Sequence, residues 1–126
     1  MIELASYVAC ALLVGLGIFQ IALVLGAPIG KFAWGGQHNV LPIKLRVGSA
    51  ISISLYTIFA TFILGKAGVV STPFSDIVLS TGVWVLTGYF FLGIIMNGIS
   101  RSKAERNLMT PIASILAILF LVVALS

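Results

Sequence analysis

Charge is what this chain has least of. Only 8% of its 126 residues are Asp, Glu, Lys or Arg, against about 25% in a soluble domain. The acids are Glu3, Asp76 and Glu105, and each falls in a loop or at the edge of an apolar run. A proton-coupled exporter built on a carboxylate deep in a span is therefore not expected. Cysteine is nearly absent: Cys10 stands alone. An intramolecular disulfide, a CxxC redox pair, a cysteine zinc cluster and quinone-linked thiol chemistry are excluded. Histidine is also single, at His38. It cannot build a metal cage without acidic or thiolate partners, nor supply both axial ligands of a haem. Gly26-Ala-Pro-Ile-Gly30-Lys31 falls one residue short of a phosphate-binding loop and lacks the following Ser or Thr. No cofactor is expected, and general acid–base catalysis has little material to work with.

What the chain has instead is hydrocarbon. It is 60% apolar, with a mean hydropathy of +1.22. Four apolar runs stand out: Leu4–Gly26, Val47–Leu64, Ile77–Ile99 and Leu108–Leu125. A helix rises 1.5 Å per residue, so each run crosses, or nearly crosses, a hydrocarbon core of about 30 Å. The reading is all-α: a polytopic membrane protein with a four-transmembrane-helix bundle. It takes up residues 1–126 as one domain, with a structured loop at 27–46.

The few charges are sorted by side. Lys31, Lys44 and Arg46 lie between runs one and two; Arg101, Lys103 and Arg106 lie between runs three and four. The remaining gap has only Lys66, offset by Asp76. In a four-span chain the first and third loops share a face. The positive-inside bias puts that face in the cytoplasm and both termini outside. Basic residues placed this way reflect topology, so nucleic acid is not an expected partner. Met1-Ile2-Glu3 lacks a basic n-region and the run after it is too long for a signal-peptide core, so the first span is read as retained.

Punctuation marks the helix ends. Ser75 or Asp76 can cap the third helix. Ser102-Lys-Ala-Glu105 has capping-box spacing, which starts the fourth helix before its apolar stretch and puts Pro111 inside it. The alternative start, Thr110 with Pro111 at the first position, leaves a span of only about 24 Å. The longer, bent helix is preferred. Pro42 is read as beginning the second helix, with Arg46 on its first turns.

The first loop is long for a connection between adjacent helices, and it mixes Gly and Pro with Phe32, Trp34 and Leu41. A freely solvated linker is more polar. A folded segment lying on the membrane is expected, with Trp34 at the interface and with Gly35 and Gly36 in conformations closed to other residues. The stretches GAPIGKFAWGGQHNVLPIKLR and WVLTGYFFLGIIMNGISRSKAER resemble a family of small bacterial four-helix inner-membrane proteins. The resemblance implies four helices and residence in a bacterial inner membrane. It implies no activity and no site.

Polar residues inside the runs fall at helix-face spacing: Ser6, Cys10, Gly17 and Gln20; Ser49, Ser52 and Tyr56; Tyr89, Gly93 and Asn97. Helix packing accounts for such stripes by itself. A polar cavity between the first three helices is the functional alternative, with the fourth helix as the lipid-facing wall. Gln20 and Asn97 sit near the cytoplasmic ends of their helices, and each amide needs a partner there. With Trp34, Gln37, His38, Asn39, Arg46 and Arg101 they form a candidate ligand site, in which the two arginines hold an anion and His38 titrates. The expected function is non-enzymatic: an accessory subunit or a carrier for a lipid or small apolar solute. Expected partners are the lipid bilayer and either a second copy or another membrane protein. A small dimeric transporter or channel is the alternative, followed by a lipid-modifying enzyme using His38.

Overall fold

The computed structural model describes residues 1–126. It contains four helices and no strand: α1 (Ile2–Val24), α2 (Ile43–Lys66), α3 (Asp76–Gly98) and α4 (Lys103–Ala124). Each is long and apolar enough to cross a membrane. At 22 to 24 residues each is about 33–36 Å long, close to the hydrocarbon thickness. The protein is a multi-pass membrane protein.

The helix ends form where local chemistry favours them. Ser75 Oγ accepts from Val78 N–H at 3.2 Å, and Ser102 Oγ accepts from Glu105 N–H at 3.2 Å; each satisfies an orphan donor of the helix that follows. Pro42 is extended and immediately precedes α2. α1 stops at Gly26, whose φ is 91°. Ala27 N–H there donates to Ala22 O and Gly26 N–H to Leu23 O, a Schellman close that needs a left-handed residue. Pro111 lies within α4, as the longer reading of that helix requires.

The helices form a ring in chain order. α1 packs on α2 and α4, and α3 packs on α2 and α4; the α2–α3 seam is the least extensive of the four. One end carries the first and third loops and is the basic end; the other carries the chain termini. The main core lies towards the terminal end. Ala5, Ala9 and Leu13 meet Phe59, Ile63, Val83, Leu116, Ala117, Phe120 and Val123 there. Phe90 joins this core by stacking on Phe120, with ring centroids 4.9 Å apart. A second, small cluster of Leu23, Ala33 and Leu41 fastens the first loop to the end of α1. Large apolar side chains cover the outer faces, among them Val14, Ile18, Ile51, Val85, Leu92 and Ile118. Water does not tolerate apolar surface of that extent; lipid does.

Two expectations are corrected. α4 is not the lipid-facing wall: it contributes more buried residues than any other helix, including Glu105, Ala113, Leu116 and Phe120. Helices in lipid associate through close packing, so small residues such as Ala113 and Ala117 mark the inside as well as the buried polar ones Ser6, Ser49 and Gln20. The polar stripes also seldom join helices. Ser6, Ser52 and Asn97 donate to carbonyls of their own helices, which satisfies them without a neighbour, and Gln20 to Tyr56 is the stripes' one bond from helix to helix.

Candidate functional site

The first loop turns back over the basic end of the bundle. A 3-10 turn at Gly30–Phe32 is followed by another at Trp34–Gly36. Gly30 N–H donates to Asn39 O at 2.8 Å and closes the loop on itself. Trp34, Gly35 and Gly36 all have positive φ, at 52°, 78° and 72°. Gly35 and Gly36 fulfil the sequence expectation; Trp34 is the surprise. A non-glycine residue held there costs roughly 1–3 kcal/mol.

The contacts around Trp34 hold it in place. Its indole Nε1–H donates to Ser49 Oγ on α2 at 3.2 Å. Its ring lies so close to Gly48 that a Cβ there would come within 2.9 Å of Cη2. The next residue, Gly35, donates its N–H to Glu105 Oε2 at 3.3 Å. Ser102 Oγ donates to Lys31 O at 2.5 Å. The loop is thus bonded to α2 on one side and to the start of α4 on the other. Phe32 meets Phe19 of α1 edge-on, with centroids 6.5 Å apart.

Beneath this cover lies a cavity of about 210 Å³. All four helices line it: Leu16, Phe19 and Gln20 of α1, Tyr56 of α2, Tyr89, Phe90, Gly93 and Asn97 of α3, and Glu105, Met109, Ile112, Ala113 and Leu116 of α4. Phe32, Ala33 and Trp34 complete it from the loop. From Glu105 to Leu116 the lining extends about 16 Å along α4. Tyr89 and Trp34 line it while remaining 51% and 44% exposed, so its mouth lies beside them, along the loose α2–α3 seam. Phe90 and Leu116, both core residues, close it towards the terminal end.

The polar groups in the lining are few. Gln20 is 8% exposed; its Nε2–H donates to Tyr56 OH at 3.3 Å, and its Oε1 is buried with no partner. Asn97 Nδ2–H donates to Gly93 O of its own helix at 2.8 Å. Glu105 is 8% exposed, in the first turn of α4, where the helix dipole favours an acid. The one hydrogen bond to its carboxylate comes from Gly35, and the chain's single ion pair joins the Met1 ammonium to Glu3.

The sequence-predicted site therefore divides. Gln20, Trp34 and Asn97 line one cavity. Gln37, His38, Asn39 and Arg101 are exposed and do not line it. Gln37, His38 and Asn39 follow the left-handed run at 34–36, and Arg101 lies in the separate connection between α3 and α4. Asn39 serves through its backbone, as the acceptor for Gly30. Arg46 folds back: its Nε–H donates to Leu41 O at 2.8 Å, and its guanidinium lies over Gly26, beside the negative end of the α1 dipole. The expected anion clamp of Arg46 and Arg101 is not assembled. The residue that sequence reasoning passed over is Glu105. Its capping-box position accounted for it completely; only the return of a loop 70 residues upstream encloses it. No family model, no curated protein and no solved structure matches this chain.

Proposed function

We propose that the protein binds, and carries within the membrane, a small amphipathic solute or lipid fragment, held beneath the first loop. One observation supports this above all. A 210 Å³ cavity lies where four helices and a folded loop converge, lined by 16 residues of which 12 are hydrophobic. Sites for small molecules have this character: an apolar enclosure with a few placed polar groups. By comparison with an engineered apolar cavity of about 150 Å³ that holds benzene, this one of about 210 Å³ suits a ligand of about eight or nine non-hydrogen atoms. The side mouth between α2 and α3 admits such a ligand from the lipid. The six-to-one asymmetry of Lys and Arg supports a cytoplasmic position for the basic end.

The competing readings have less behind them. A channel needs a polar path to the opposite face, and Phe59, Phe90, Leu116 and Phe120 fill that half of the bundle. An enzyme acting through His38 needs a second group beside it, and the His38 side chain makes no hydrogen bond.

The test is extraction into polymer discs without detergent, followed by native mass spectrometry of the whole chain and of Gly93→Leu. An added Cβ at Gly93 meets only the Ala113 methyl, at 3.8 Å, and Gly93 lines the cavity, so the variant is chosen to fill it. A small molecule is expected on the natural protein and not on the variant. Identical bound species on both would count against an occupied cavity.

A further inference from the structure

Accepting that the cavity is a binding site, its lining goes on to specify the charge of the occupant. The one charged group in the lining and its one buried unpartnered polar atom are both acceptors, while the Tyr56 and Tyr89 hydroxyls can also donate. Gln20 Oε1 is buried and unpartnered. Asn97 commits its amide N–H to Gly93 O, which leaves Oδ1 free. Glu105 accepts a single, long hydrogen bond from Gly35. The surrounding walls are rich in aromatic rings, Phe19, Phe32, Trp34, Tyr56, Tyr89 and Phe90, and from outside the lining Lys31 Nζ lies 5.3 Å from the Phe32 centroid. All seven Lys and Arg residues of the chain, and His38, are absent from the lining.

Each feature favours the same chemistry. A buried acceptor is costly until it meets a donor. Aromatic faces attract cations through the ring quadrupole, more strongly where water is excluded. A buried carboxylate is retained where a cation or further donors compensate it. The dipole of α4 offsets only about half a charge at its N-terminus, and Glu105 is the one formally charged side chain in the lining. An anionic ligand meets repulsion there, and a neutral one leaves Glu105 uncompensated.

We infer that the ligand is a small organic monocation bearing N–H donors, an aromatic or alkyl amine, with its ammonium at Glu105 and its apolar part among the aromatic walls. Glu105 is the counter-charge, Gln20 and Asn97 are secondary acceptors, and Trp34 is both the lid and the reporter. The basic residues outside the cavity discourage free cations from approaching through the cytoplasmic surface, which makes the lipid-side mouth by Tyr89 the preferred entry for the amine.

Three probes of nearly equal shape test this: 2-phenylethylamine, 2-phenylethanol and phenylacetate. They differ in charge, and each has about the size the cavity accepts. The whole protein in lipid nanodiscs, carrying Trp84→Phe so that Trp34 is the sole indole, is titrated and its fluorescence followed. Trp84 lies outside the cavity lining. The amine is expected to bind at least tenfold more tightly than the alcohol, with no saturable response to the anion. Glu105→Gln keeps an acceptor for Gly35 N–H and is expected to bring the amine down to the level of the alcohol. Glu105→Asp should retain the preference. Equal saturable binding of amine and alcohol, both abolished by Gly93→Leu, would overturn the assignment of charge and leave the binding cavity standing. No saturable response to any probe would overturn the binding cavity, and the charge assignment with it. Should Glu105→Gln fail to fold, the ranking of the three probes on the natural residue still decides the question.

Discussion

The two halves of this bundle are built on opposite principles. Towards the terminal end, side chains interlock. Phe59, Tyr89, Phe90 and Phe120 form a linked aromatic series with centroids 4.9 to 5.9 Å apart, filled in by Ala5, Ala9, Ala117 and Ala124. Towards the basic end the helices leave a gap, and a loop with three consecutive left-handed residues covers it. Close packing is the main attraction between helices in lipid, because leaving lipid for a neighbouring helix gains little hydrophobic energy. A gap of about 210 Å³ forfeits that attraction. The tight half holds the fold; the loose half makes room for something else.

The comparison is broken most severely by loosening the tight half. Phe120 is fully buried and in contact with Phe90. Phe120→Ala leaves a void that three neighbouring helices cannot all close. Such truncations cost about 3–5 kcal/mol in water-soluble cores. In a bilayer the unfolded side chain also sits in hydrocarbon, so the transfer part shrinks and the void part remains; about 3 kcal/mol is expected. Phe19→Ala, which enlarges an existing cavity, should cost less than half as much. Unfolding by SDS titration in mixed micelles measures both. Equal costs would mean that the basic half is packed in the membrane as tightly as the other.

Next comes the loop. Gly36 has φ of 72°, and a Cβ there would lie 2.3 Å from the Ser102 Cβ and 2.9 Å from Lys31 O. Gly35 has φ of 78° but open space around it. Gly35→Ala therefore incurs only the backbone penalty of about 1–2 kcal/mol. Gly36→Ala adds a collision at the point where the loop is bonded to α4. Hydrogen exchange of residues 30–39 should quicken roughly tenfold in the first variant and well beyond that in the second, while the helices of the terminal half keep their protection. Global unfolding in Gly36→Ala would show that the two halves are not separable.

The sequence revealed the scaffold more readily than the site, and the reasons are physical. Apolar runs, Pro42, the Ser102 cap and the glycine pair at 35–36 are local signals, and each acts where it stands. Polarity was an incomplete guide to burial: Ser6 and Ser49 are buried as their stripes suggested, but so are Ala113 and Ala117 of the helix read as facing lipid. Gln20 and Asn97 were legible as cavity residues from their depth and helix face. Gln37, His38 and Arg46 were not separable from them, because a left-handed turn and a side chain folded back on Leu41 O decide their directions. Glu105 was hidden by a sufficient local role. A carboxyl group at the third position of a helix needs no further explanation until a distant loop encloses it.

The smallest effect sharpens the comparison most, because it concerns what fills the gap. Gln20 and Asn97 line the same cavity without bonding to each other: one reaches Tyr56, the other its own helix. Gln20→Leu removes one interhelical hydrogen bond, of which the average in a membrane is about 0.6 kcal/mol, and also removes an unpartnered buried oxygen, which offsets part of that loss. Asn97→Leu removes a bond within the helix and should be close to neutral. With no shared protein partner, the two effects should add to within about 0.5 kcal/mol in the double variant. Additivity is expected for protein emptied by long dialysis against detergent. Protein kept in native lipid gives the sharper reading: one amine contacting both amides would make them share a partner, and the double variant would then cost less than the sum. A shortfall in native lipid that vanishes on dialysis is the signature of a bound molecule spanning the cavity. Additivity in both preparations would leave the two amides as independent packing residues, and the loose half as no more than an imperfectly filled end of the bundle.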